Sequence, residues 1–264
     1  QKEQEGILWH IKYPINEDNF VIIATTRPET MFGDSAVAVH PNDHRYKKFV
    51  GKECFLPLTD RKIKIIADEY VDPEKGTGAV KITPAHDFND FDVGKRNNLE
   101  FINIFDEKAQ MNTNVPHEYQ GLDRYKARDK IIDSLKNKKL LIKEEKQLMV
   151  IPYGDRSGTI IEPWLTEQWF CDAKKLSLEP INAVKNGETT FVPMQWKKTF
   201  FNWMENIEPW CISRQLWWGH QIPAWYGPDN KIFVAMNLED ALKKAREYYN
   251  KEVELKQDED VLDT

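Results

Sequence analysis

The chain has 264 residues, 41% hydrophobic and 30% charged, with a net charge of −6. This composition is that of a globular protein with one large core, or a domain with a substantial appendage. No apolar run approaches the roughly eighteen residues of a membrane span, so no membrane partner is expected, and the acidic balance argues against wholesale coating of nucleic acid. A local basic surface stays open, because Lys136, Lys138, Lys139, Lys143 and Lys146 crowd into one stretch that also reads as a solvated helix end. Residues 1–6 lack a signal-peptide pattern, and Cys54, Cys171 and Cys211 are far apart and in no metal spacing. Reduced thiols and a cytoplasmic location are expected.

In chain order, residues 7–13 alternate, with Ile7, Trp9, Ile11 and Tyr13 on one side, and predict a half-buried strand. Phe20–Thr25 is a β-branched run that predicts a buried strand. Short strands follow at 36–39 and 63–67, and the Gly76-Thr77-Gly78 turn feeds another at 79–83. A helix is predicted from His86 or Asp87 to Arg96. A longer one spans 123–139, with Asp123 as N-cap and Tyr125, Ile131, Ile132 and Leu135 inward. Strands return at 140–144, 148–152 and 159–162.

Short strands with a few inserted helices, and no strict βαβ alternation, predict an α+β (mainly β) fold: a closed or nearly closed β-barrel decorated with helices. The expected domains are 1–163 and a Trp-rich 164–264, since eight of the nine tryptophans lie between Trp164 and Trp225. Such a surface reads as one made to be covered. One further helix is predicted at 238–250, with Asn237 as N-cap and Leu238, Ala241, Leu242 and Ala245 inward.

Two runs carry the chemistry: Ala24-Thr25-Thr26-Arg27-Pro28-Glu29-Thr30-Met31 and Ala79-Val80-Lys81-Ile82-Thr83-Pro84-Ala85-His86-Asp87-Phe88-Asn89-Asp90. Strand alternation projects Lys81 and Thr83 to one face, with Val80 and Ile82 in the core. Asp87 and Asp90, three apart on a helix, share a face that Gly94 leaves open. Lys81, Thr83, Asp87 and Asp90 can then line one pocket suited to a small zwitterion bearing a hydroxyl. Asp87 reads equally as a helix cap. Asp90 is flanked by Phe88 and Phe91 and wants a cation, either a ligand ammonium or Lys81 in a structural ion pair. Thr25, Thr26 and Thr30 around Arg27 either cap turns or hold a ribose and phosphate. His86 is a general base or a structural histidine. No metal site, P-loop, dinucleotide fingerprint or serine-hydrolase elbow is present in the sequence.

These runs resemble the threonine-rich and aspartate-rich motifs of the editing (CP1) domain inserted in class I aminoacyl-tRNA synthetases, in their valyl form. Gly33-Asp34-Ser35-Ala36-Val37-Ala38-Val39-His40-Pro41 is similar to that form, with Ser35 where threonine is commoner, as is the run from Trp210 through Trp217-Trp218-Gly219-His220 to Trp225. Residues 257–264 resemble the re-entry into a Rossmann-like catalytic domain, so residues 164–264 are expected to form part of that return.

The resemblance implies hydrolysis of threonine mischarged onto valine tRNA. Asp90 would anchor the substrate ammonium, while Asp87, Lys81 and Thr83 would sense the hydroxyl and orient water. Thr25, Thr26, Arg27 and Thr30, with His86, would lie around the ester and terminal adenosine. It implies no cofactor for editing, since ATP and magnesium serve only the parent enzyme's synthetic site. The expected partners are the 3′ aminoacylated end of valine tRNA and the remaining domains of the parent. The synthetic motifs His-Ile-Gly-His and Lys-Met-Ser-Lys-Ser are missing, so neither activation of valine nor charging is expected. The resemblance leaves an isoleucyl or leucyl editing domain, or a non-catalytic tRNA-docking module, as alternatives.

Overall fold

The computed structural model describes residues 1–263. The chain forms two compact units, Gln1–Leu165 and a second beginning at Thr166.

In the first unit, β1 (Lys2–Pro14) buries Trp9, Ile11 and Tyr13 and turns the residues between them outward, as strand geometry requires. Ile7, expected inside, is exposed, because the first half of β1 runs out as a ribbon. β2 (Phe20–Thr25) alternates, burying Val21, Ile23 and Thr25, and is therefore half-buried rather than wholly buried. A 3-10 turn, Pro28–Gly33, follows with proline at its start, where a missing N–H costs nothing. It delivers the chain to β3 (Ala36–Val39), which is buried on both faces. β4 (Glu53–Phe55), unforeseen in the sequence, β5 (Lys62–Ala67) and β6 (Ala79–Ile82) come next.

α1 (Phe88–Arg96) starts on the Asp87 cap. Gly94 does not leave its face open: a Cβ there would meet Pro84 at 2.7 Å, so the glycine lets α1 close onto the end of β6. α2 (Arg124–Asn137) is capped by Asp123 and buries Ala127, Ile131, Ile132 and Leu135. Tyr125 instead stays outside, beneath the Arg124 and Arg128 guanidiniums. β7 (Leu141–Ile151) is one strand where two were expected, and residues 159–162 contribute only the isolated Tyr153–Ile160 bridge.

The strands form two open sheets, β2-β1-β7 and β4-β5-β3-β6, with β3 parallel to β5 and antiparallel to β6. The expected barrel is not closed. β2 and β6 lie near one another without a hydrogen-bonded ladder, so each sheet keeps two free edges. The main core is shared by both sheets and α2, joining Trp9, Ile11 and Ile23 to Val37, Ile65 and Ile131. A smaller core of Ala36, Ala38, Val71, Ile82 and Val93 covers the other face of the four-stranded sheet with α1. With both faces covered, simple in-and-out alternation fails in β6: Ile82 is buried, yet Lys81 is buried too, and Val80 is only half-buried.

The second unit contains β8 (Phe170–Cys171), α3 (Ala173–Leu176), α4 (Leu178–Lys185), α5 (Trp196–Glu205), β9 (Trp210–Cys211), β10 (Ser213–Arg214), β11 (Ala224–Tyr226), β12 (Ile232–Val234), α6 (Leu238–Tyr249), β13 (Lys256–Gln257) and β14 (Val261–Leu262). α6 has the Asn237 cap and buries Ala241 and Ala245 beside Trp225 and Phe233, while Leu238 is exposed. Every strand pair in this unit is antiparallel and two or three residues long, with β11 and β12 a simple hairpin. Trp217 and Trp218 are fully or almost fully exposed.

Candidate active site

β2, β6 and the N-terminus of α1 converge on a cleft of about 160 Å³ lined by Thr25, Thr26, Arg27, Thr30, Lys81, Thr83, His86, Asp87 and Asp90, together with Ala24, Tyr70 and Val80. A cavity of roughly 150 Å³ is enough to admit a benzene-sized ligand. The two sequence runs, some fifty residues apart, thus meet in space. A larger, more open hollow beside Arg96 offers less chemistry. Its Asp68 carboxylate is consumed by Arg96 at 2.6 and 2.9 Å and by Asn97 at 2.8 Å, which holds it down at about 2.

The cleft floor is a closed hydrogen-bond network. Lys81 Nζ donates to Thr30 Oγ1 at 2.9 Å, to Asp34 Oδ1 at 3.1 Å and to Thr83 Oγ1. An ammonium has three protons, so none is left for a ligand. The Thr83 hydroxyl donates to Asp34 Oδ1 at 2.7 Å, and Tyr13 donates to Asp34 Oδ2 at 2.7 Å. Asp34 is wholly buried: desolvation pushes its carboxyl up, while Lys81 and the Thr83 and Tyr13 hydroxyls pull it back. The partner of Lys81 is therefore Asp34, not Asp90 as the sequence left open.

Asp90 sits opposite, 6% exposed. Its Oδ2 accepts the Thr83 backbone N–H at 2.8 Å, and no cation pairs with it among the described residues. Phe88, expected to wall it, is 80% exposed, and Phe91 packs on Phe101 instead. Burial lifts the Asp90 carboxyl to about 6 against the pull of Lys81 and the Thr83 amide. Asp87 both caps and faces the cleft. Its Oδ1 accepts the Asn89 and Asp90 amides at 2.9 and 3.1 Å, and its Oδ2 has no protein partner among the described residues.

The remaining wall residues divide by what is already spent. Thr30 donates to the Arg27 carbonyl at 2.9 Å, and Thr25 Oγ1 accepts the Arg27 amide at 3.1 Å, so both shape the turn. Thr26 has no protein hydrogen bond among the described residues and offers its hydroxyl to the cleft. Arg27 donates to the His86 carbonyl at 2.8 Å and also meets Glu162. His86 is a wall, not a base. Its Nε2 accepts the Ile104 amide at 3.0 Å, leaving the proton on Nδ1, which faces the Pro163 carbonyl at 3.3 Å. Burial lowers its pKa to about 4.

Sequence reasoning gave no role to Asp34, Tyr13, Tyr70 or Glu29. Tyr70 is exposed and shows itself only as a cleft wall, while burial reveals the others: Asp34 is the residue that neutralises Lys81, and Glu29 is gripped by Arg128 at 2.7 Å through both oxygens. The sole sequence signal for Asp34 was an acid flanked by apolar runs, which demands a partner.

The family model of tRNA synthetases class I (I, L, M and V) matches residues 5–264. The chain is 61% identical over 265 residues to a valine–tRNA ligase of Pelagibacter ubique (strain HTCC1062), covering all of this chain and 30% of the relative. It is 52% identical over 285 residues to a valine–tRNA ligase of Caulobacter vibrioides, covering all of this chain and 32% of the relative. A solved structure, the crystal structure of GlLeuRS-CP1, is similar at a TM-score of 0.42 and 13% identity, covering 52% of this chain and 96% of that one. The chain spans about a third of the length of the curated relatives it matches. With the matched model reaching across nearly every residue described above, the chain belongs to the class I tRNA synthetases (I, L, M and V).

Proposed function

We propose that the cleft hydrolyses the ester of threonine wrongly attached to valine tRNA. The observation that carries this reading is Asp90, a buried carboxylate that no side-chain cation pairs with among the described residues. A ligand ammonium supplies the missing charge and recovers the cost of burying the acid. The curated relatives are valine–tRNA ligases, whose own substrate is nearly isosteric with threonine. An apolar pocket rejects such an isostere poorly, whereas a second site built around hydrogen bonds to the hydroxyl rejects valine well.

With the Lys81 protons committed to the floor, the hydroxyl falls to Thr26 and the free oxygen of Asp87, and the methyl to Ala24 and Val80. Water attacks the ester carbonyl, and the ribose oxygen leaves as a hydroxyl. No side chain in the cleft is an evident base, so positioning and charge complementarity supply the acceleration, with a neighbouring ribose hydroxyl assisting the water. The reading requires no cofactor, and its partners are the 3′ end of valine tRNA and the rest of a longer synthetase.

The test is deacylation of threonyl-tRNA, with valyl-tRNA as control, by the wild type and Asp90→Asn. Loss of a buried ionic contact worth about 3 kcal/mol predicts a drop on the order of a hundredfold in the variant. Hydrolysis of the threonyl ester at an unchanged rate in Asp90→Asn overturns the anchor. Binding of tRNA without any turnover by the wild type favours a docking module instead.

A further inference from the structure

Lys81 and Asp90 face the same small cleft, yet they do not pair. A lysine and a carboxylate this close, both more than nine-tenths buried, would normally close on one another, and the cleft would then have no charge to offer. Asp34 takes up the lysine instead. It accepts from Lys81 Nζ at 3.1 Å, from the Thr83 hydroxyl at 2.7 Å and from Tyr13 at 2.7 Å, and it is inaccessible to solvent.

Its place is fixed from three directions. The backbone carbonyls of Phe32 and Asp34 accept from Arg61 at 2.7 and 2.8 Å, the Ser35 amide donates to the Ile82 carbonyl at 2.9 Å, and β3 then pairs with β6 from Ala36 onward. That register sets residue 34 beside residues 81–83.

We propose that Asp34 is a positioning residue for the cleft: by neutralising Lys81 and fixing the Thr83 hydroxyl, it withholds the lysine from Asp90 and leaves Asp90 as the open seat for a substrate ammonium. The role in deacylation rests on the function proposed above; the charge coupling itself does not.

The groups facing each acid are few. Around Asp34 they are Tyr13 from β1, the Cys54 thiol from β4, which burial pushes up to about 12 and so keeps neutral, Lys81 and Thr83 at β6, and the Arg61 guanidinium, which is spent on the Phe32 and Asp34 backbone carbonyls. Around Asp90 they are Lys81, the Thr83 amide, Asp87, Asp34 and, across the cleft, Tyr70. With Asp34 charged, the floor carries lysine and aspartate in balance. With Asp34 made neutral, the floor is cationic and Asp90 is its nearest relief.

The experiment follows the Asp90 carboxyl carbon by NMR titration of the whole, unliganded chain. The wild type is expected to titrate near 6. In Asp34→Asn the midpoint drops by about one unit, a tenfold change in ionisation constant, because the repulsion from Asp34 is gone and the lysine, no longer neutralised, favours the Asp90 carboxylate. In the Asp34→Asn, Lys81→Met double variant both buried charges are gone, and the midpoint returns to within about half a unit of the wild type or rises above it. The double variant carries the test even where the single one fails to fold, since a neutral pair is cheaper to bury than an orphaned lysine. An unmoved midpoint in the single variant, or a fall in the double variant, overturns the proposal. Absence of threonyl ester hydrolysis in the wild type, with the midpoint still moving as stated, sinks the deacylase reading and leaves the charge coupling standing.

Discussion

Single residues in the cleft trade stability for an open charge. Asp90 titrates near 6 in the folded chain against an ordinary 3.8, so the folded state holds its proton more tightly than the unfolded one. Its contribution to stability is therefore present below about 4 and lost as the pH rises through about 6. Asp90→Asn removes that loss. Urea unfolding is expected to show the variant more stable than the wild type by about 1–3 kcal/mol at pH 8, with the gain gone near pH 4. An equal or lower midpoint at pH 8 would mean the carboxylate is compensated after all. His86 runs the other way, since its pKa of about 4 lies below the ordinary 6.5 and its neutral form is the one the fold requires. Much of this was legible in the sequence as a set of residue types. Spacing named Lys81, Thr83, Asp87 and Asp90 together, but which acid takes the lysine depends on how β3 and β6 pair, and a linear pattern does not encode that.

At the scale of elements, the turn bearing Thr25 to Thr30 is clipped onto α2. Glu29, 1% exposed, receives two 2.7 Å bonds from Arg128, whose guanidinium also lies over Trp9 and Tyr125. Arg128→Met leaves that buried carboxylate with only the longer 3.7 Å contact to Arg27, and chemical denaturation is expected to show a loss of about 3 kcal/mol. The Glu29→Gln, Arg128→Met pair, with no charge to strand, should recover most of it; a double variant as weak as the single one would place the cost in lost packing. Caps were the most legible elements: Asp87, Asp123 and Asn237 each hold the amides their chemistry predicts. The barrel and the Tyr125 and Leu238 inward faces were not legible, because periodicity reports amphipathicity and cannot count which strand edges find partners. The helices between Ala173 and Glu205 escaped prediction, their tryptophans and short runs masking any clear period.

At the scale of the whole chain, every cleft residue and every partner named for it lies within Gln1–Leu165. A chain of residues 1–165 is expected to unfold cooperatively and to retain threonyl ester hydrolysis within about tenfold of the full chain. One stopping at residue 158 loses Glu162 and Pro163, which engage Arg27, Arg124 and His86, and should lose both properties. Circular dichroism during denaturation and the deacylation assay check the pair. An inactive but folded 1–165 chain would show that the second unit contributes directly to turnover.

The saturated lysine has one more implication, for how this pocket could change its taste. Because the basement of the cavity is locked from behind by Tyr13, Asp34 and Arg61, altering it risks collapse of the sheet. Of the upper walls, Thr26 makes no protein hydrogen bond among the described residues and Tyr70 is exposed, whereas Val80 is held in the β3–β6 ladder. On the proposed reading, selection for a different amino acid would therefore rewrite Thr26 and Tyr70 first, while the ionic foundation is inherited unchanged.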